Sequence, residues 1–132
     1  MARIAPIICL LALLAGCGGG GGDDKEDAEQ AVRDFVTATR EKDSDAFCDE
    51  LVTQEFLEQA TGATGEQAAQ SCKRELDSLT GVDVKVVRIV RTEVNEDTAM
   101  VTAVLARGGQ ELRQRLRLKK EDGDWKLAGS AE

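Results

Sequence analysis

The sequence contains no histidine and no tyrosine, and its aromatic residues are three phenylalanines and Trp125. A zinc centre of the usual Cys/His kind needs four such ligands, and the two cysteines beyond the N-terminal apolar segment, Cys48 and Cys72, cannot complete one. Basic charge is also short: 17 Lys and Arg stand against 25 Asp and Glu, for a formal net charge of −8. Proteins that grip nucleic acid neutralise phosphates with Lys and Arg, so that class of partner is disfavoured. The longest apolar run, Ile4–Ala15, is about 12 residues, well under the ~20 that span a bilayer as a helix. No G-x-S-x-G, phosphate loop or HExxH motif occurs, which removes the commonest signatures of nucleophilic, phosphoryl and metallopeptidase chemistry. Glu121-Asp122-Gly123-Asp124 lacks the spacing and the distal glutamate of a calcium loop and reads as a hairpin turn. No metal and no cofactor is expected.

What is present begins at the N-terminus. Arg3 gives a positive start, and the apolar run after it has the length of a secretory signal. It closes on Leu14-Ala15-Gly16-Cys17, which resembles the lipobox of bacterial lipoproteins. In that motif the chain is cut before the cysteine and its thiol is joined to diacylglycerol. The resemblance implies that residues 1–16 are a signal peptide, that Cys17 carries the lipid (palmitate among the acyl chains), and that the protein sits on the extracytoplasmic face of a cell membrane. Two or three acyl chains, at ~0.8 kcal/mol per buried methylene, would hold it there. Residues 17–26, with Gly18–Gly22 followed by Asp23, Asp24, Lys25 and Glu26, have the composition of a flexible tether. Residues 27–132 are left as one domain, of a size that folds alone by no large margin.

In that domain Ala28, Ala31, Val32, Phe35, Val36 and Thr39 recur at helical spacing, so a first helix should run from Asp27 to near Lys42. Asp43-Ser44-Asp45 supplies the next N-cap, and Phe47, Cys48, Leu51 and Val52 share a face of the second helix. Thr53 is positioned to start a further turn carrying Phe56 and Leu57. Thr64-Gly65-Glu66-Gln67 has the form of a capping box, opening a third helix with Ala68, Ala69, Cys72, Leu76 and Leu79 on one side. Cys48 and Cys72 form an even pair in an exported chain, and a disulfide between two apolar helix faces is the expected outcome.

After Gly81 the period falls to two. Val82, Val84 and Val86 alternate with polar residues, then Val87 and Ile89 continue in the opposite phase, which predicts a bulge near Val86-Val87. Turns at Asn95-Glu96-Asp97, Gly108-Gly109 and Asp122-Gly123 separate four strands. Leu112, Gln114, Leu116 and Leu118 share one face of the third, and Arg113, Arg115 and Arg117 the other. The fold class is therefore α+β, three N-terminal helices packed on a curved four-stranded antiparallel sheet.

That order, ending in Gly123-Asp124-Trp125-Lys126-Leu127, resembles the nuclear-transport-factor-2-like superfamily, whose curved sheet wraps the first helix in a cone. The superfamily holds isomerases and cyclases as well as members that only bind or assemble. Its enzymes place an ionisable base with tyrosine or histidine partners in the cone, and this chain has neither partner. The resemblance thus implies a non-catalytic binding or interaction module. An isomerase-like or hydrolase-like enzyme with a single carboxylate in the cone, and a structural envelope protein, are the alternatives.

Phe35, Met100, Gln114 and Trp125 are the candidate pocket residues, with Gln114 a polar residue interrupting an apolar row. A small apolar ligand or an envelope protein is the expected partner, beside the membrane itself, and a homodimer through the sheet face is open. The arginine row is expected to be a solvated outer face paired with acids across the strands. Cys17→Ser should move the protein from the membrane fraction to the soluble one; retention with the membrane would refute the anchor.

Overall fold

A computed structural model describes residues 21–79 and 83–131. The signal segment, the lipobox and Cys17 lie outside the described residues. The elements are α1 (Gly21–Glu41), a π-helical segment (Ala46–Leu51), α2 (Gln54–Thr61), α3 (Glu66–Ser78), and strands β1 (Val84–Asn95), β2 (Thr98–Arg107), β3 (Gln110–Glu121) and β4 (Asp124–Ala131). No described helix is long and apolar enough to cross a membrane.

Helix α1 starts six residues before Asp27, so residues 21–26, read above as tether, are helical. Two interactions account for this. Asp23 and Asp24 occupy the first turn, where negative charge meets the positive end of the helix dipole. Asp24 is also held by Lys120 Nζ at 3.1 Å, and that ammonium lies 5.6 Å from the centroid of the Trp125 ring. At the other end Lys42 adopts φ 56°; its N–H donates to Thr39 O at 3.3 Å and the Asp43 N–H to Ala38 O at 2.9 Å. This is a Schellman stop with lysine in the left-handed position. The buried stripe is Ala28, Val32 and Val36.

The expected second helix is a π-helical segment, and the further turn expected from Thr53 forms as α2. Asp43 Oδ1 accepts from Ala46 N at 3.2 Å, and the π-helical turn that follows buries Cys48. The chain then bridges β4: Val52 pairs with Leu127 and Thr53 N donates to Leu127 O at 2.9 Å. Thr53, 2% exposed, caps α2 by accepting from Phe56 N at 3.1 Å. The capping box expected at Thr64 does not form; the N-cap of α3 is Gly65, with φ 59° and no side-chain cap. Its place is taken by Glu58, whose Oε2 accepts from Gly65 N and from Gln54 Nε2, both at 2.9 Å. These two donors, the Gln54 amide first, hold the Glu58 carboxyl below its ordinary pKa against a small opposing effect of burial.

Cys48 and Cys72 are joined as a disulfide, Cα to Cα 6.0 Å, across 24 residues. It fastens the π-helical segment to α3, and Lys73 reinforces the joint through Asp49 at 2.8 Å and Asp45 at 3.3 Å. Those hydrogen bonds, Asp49 first, raise the Lys73 pKa against slight desolvation.

The sheet is a meander in the order β1-β2-β3-β4, antiparallel throughout. Its concave face carries Val94, Thr92, Ile89 and Val86 of β1, Ala99, Val101 and Ala103 of β2, and Leu116 and Leu118 of β3. Val101 and Ala103 are fully buried there. Register shifts fall between Val86 and Arg88, as expected, and also between Ile89 and Arg91, which the alternation did not reveal. The extra residues, Val87 and Val90, are left outside at 39% and 44% exposed. A third shift, between Arg117 and Leu118 opposite β4, sets Ala128 out of register.

Removing the bridge through Cys48→Ala with Cys72→Ala should cost about 3–4 kcal/mol on the loop-closure model. For a domain of this size that is a fall of roughly 15 °C or more in Tm by scanning calorimetry. Because Glu58 titrates below its unfolded value, its contribution to stability is present above the unfolded pKa and lost as pH falls through the depressed folded one. Glu58→Gln should therefore flatten the acid limb of a Tm-against-pH profile, and an unchanged limb would remove Glu58 from the joint.

Candidate functional site

The helices cover only part of the concave face. Burial on β3 begins at Leu116, and Gln110 to Arg115 are all exposed, so the cone is open where the β2–β3 hairpin projects beyond α1. The opening is a cavity of about 480 Å³, within the range of small-molecule sites. Helix α1 contributes Phe35, Val36 and Thr39, the π-helical segment Phe47, and α3 Leu76, with Leu79 just past its end. The sheet side is Val84, Leu105, Leu112 and Gln114, with Asp83, Arg107 and Gly108 in the wall.

The floor is apolar and ordered. The Phe35 and Phe47 rings meet at 4.9 Å between centroids, tilted by 34°. Thr39 Oγ1 is engaged, donating to Phe35 O at 2.8 Å. Leu79 and Leu112 stand at the lip, 45% and 47% exposed. They extend the apolar surface of the hollow outward to its rim, and contiguous apolar surface of this kind, where extensive, marks ligand-binding grooves. Gln114 is opposite Ala103 in the β2–β3 ladder and is itself exposed, so its carboxamide needs no protein partner and is available at the mouth. Among the described lining residues the only carboxylate is Asp83, which is exposed.

The four residues singled out from the sequence are not brought together. Phe35 and Gln114 line this cavity. Met100 pairs with Glu93 and Arg117, which places it on the convex face, one residue out of phase with buried Ala99 and Val101. Trp125, 6% exposed, is core at the narrow end and borders a separate open cleft with Asp27, Asp34 and Asp49. Its indole Nε1 is buried with no partner among the described residues. Leu105, Leu112 and Phe47 were absent from the sequence-derived set. Leu112 was visible as the first residue of the apolar row of β3, but nothing in the row marked its first position as uncovered.

No model of a known protein family matches the sequence, and no curated protein does. Solved structures match in three dimensions. A protein from Silicibacter pomeroyi, described as NTF-2 like and of unknown function, superposes with a TM-score of 0.55 at 15% identity, covering 83% of this chain and 94% of that one. The fold is nuclear-transport-factor-2-like. A putative ketosteroid isomerase from Kribbella flavida matches with a TM-score of 0.50 at 19% identity, over 83% of this chain and 81% of that one. At these identities the likeness describes the nuclear-transport-factor-2-like backbone, and the contents of the cone are this chain's own.

Proposed function

We propose that the protein is a lipid-anchored, extracytoplasmic binding module that holds a small, largely apolar ligand in the open mouth of its cone. The observation that carries this reading is the cavity between Phe35, Phe47, Leu76, Leu105 and Leu112, with the free carboxamide of Gln114 at its lip. Apolar walls reward burial at roughly 25 cal/mol per Å². One amide at the entrance, able both to donate and to accept, would orient a ligand's polar end toward water. The lipobox resemblance at Cys17 supports the location. The isomerase alternative, suggested by the Kribbella flavida neighbour, would have to use Asp83, the one carboxylate in the described lining, from an exposed position at the rim. Exposure leaves a carboxylate well solvated, whereas a base is usually tuned by burial.

The test is titration of the full chain with N-phenyl-1-naphthylamine, an uncharged apolar fluorophore, together with Gln114→Trp, whose indole should fill the mouth from an exposed backbone position. Wild-type protein should bind with a blue shift, and the variant should lose about tenfold or more, a change of ~1.4 kcal/mol. Absence of binding, or equal binding by both proteins at equal Tm, would refute the cavity as the site.

A further inference from the structure

The convex face of the sheet is a second candidate surface, with a chemistry opposite to that of the chain as a whole. Residues 21–78 carry sixteen Asp and Glu against six Lys and Arg. On the outward side of the sheet the balance reverses. Lys85, Arg88 and Arg91 of β1 and Arg113, Arg115, Arg117 and Lys119 of β3 are all exposed, and the acids in the same rows are Glu93, Glu111 and, at the end of β3, the half-buried Glu121. The bulges create half of this arrangement. Each extra residue in β1 delays the alternation by one, so basic residues spaced three apart, at 85, 88 and 91, pair with consecutive even positions of β2 or its neighbours: Ala106, Val104 and Thr102.

The expected pairing of the arginine row with acids across the strands is not found. Opposite Arg113, Arg115 and Arg117 stand Val104, Thr102 and Met100. Arg91 is paired with Glu93, but among the described residues no ion pair engages Lys85, Arg88, Arg113, Arg115, Arg117 or Lys119. The result is an uncharged strip along β2 walled by two basic rows about 9.6 Å apart, with charges along β3 repeating every ~6.8 Å for some 20 Å. Gly129, at φ +152°, leaves room for Arg117, whose Nη2 would lie 3.1 Å from a Cβ at that position.

The geometry points to this strip as a docking surface for a linear polyol-phosphate chain, an extended polyanion without bases whose negative charges repeat at about the spacing of the β3 row. Guanidinium forks grip phosphate oxygens in pairs, which favours arginine at such a surface. A peptide fits less well. Strands β2 and β3 are hydrogen-bonded on both sides, so no peptide strand can be added beside the β3 row, and of the two rows only that of β1 has an edge open to one. A flat anionic bilayer is opposed by acids at both ends of the same face, Glu96, Asp97 and Asp122 at one and Asp83 and Glu111 at the other.

The experiment is fluorescence anisotropy of an end-labelled oligo(glycerol phosphate) with the full chain in uncharged detergent, at several salt concentrations. Binding should weaken with salt by about 0.7 in log K per log salt for each phosphate contacted. Arg113→Gln with Arg115→Gln and Arg117→Gln should cost about tenfold or more and reduce that slope by about 2. Arg33→Gln with Arg40→Gln and Arg74→Gln removes the same charge from exposed helical positions and should change binding less than about twofold, both variants being checked for unchanged circular dichroism. Three results would overturn the assignment: no binding at the lowest salt, equal losses in the two triple variants, or equal or tighter binding of an oligoglutamate of the same charge. Displacement of the label by anionic phospholipid micelles more effectively than by unlabelled oligo(glycerol phosphate) would also overturn it, in favour of a membrane surface.

Discussion

A four-stranded sheet can wrap a helix only if it bends, and bending is the constraint on which the rest of this molecule depends. The extra residues Val87 and Val90 in β1 and Ala128 in β4 supply it, since each bulge locally increases twist and turns the strand. The same devices set the contents of both faces. They keep Val86, Ile89 and Thr92 directed at α1, and they keep Lys85, Arg88 and Arg91 directed at water. The apolar mouth and the basic outer rows are thus two consequences of one register.

The helical layer is fixed to that sheet at two places. At the narrow end Lys120 bridges Asp24 of α1 and the Trp125 ring, so the first turn of α1 is anchored by the last hairpin of the sheet. On the helical side the disulfide and Lys73 tie the π-helical turn to α3, while Val52 and Thr53 run the connecting chain alongside β4. A domain of this size has a typical net stability of about 5–15 kcal/mol, so one cross-link of a few kcal/mol is a large part of it. Among the described residues these ties leave the opposite end uncovered. The β2–β3 hairpin extends past the helices there, and Leu79 and Leu112 face solvent.

Electrostatically the molecule is divided. Its acids gather on the helical layer and at the strand turns, and seven Lys and Arg lie in two rows on the convex sheet face. A net charge of −8 describes neither surface. Long-range approach of an anion would be opposed by the whole and favoured only within about a Debye length, ~8 Å at physiological salt, of the basic rows.

The sequence by itself determined the element order, the α+β class, the bulge at Val86-Val87 and the cysteine pair, because each follows from a local period or from a count. It also placed Leu112 and Gln114 on one face of a strand, which follows from the alternation of the pleat. Tertiary structure decided what covers each face. Met100 reads as an apolar pocket residue until its register opposite Glu93 and Arg117 puts it outside, and Gln114 reads as a buried amide until α1 is seen to end short of it. The helical start at Gly21 was illegible for the same reason: glycines and acids look like tether, and only Lys120, 96 residues away, gives Asp24 a reason to be ordered. Local patterns specify conformation and phase, whereas burial and charge pairing depend on which distant element arrives, and that is settled only when the chain has folded.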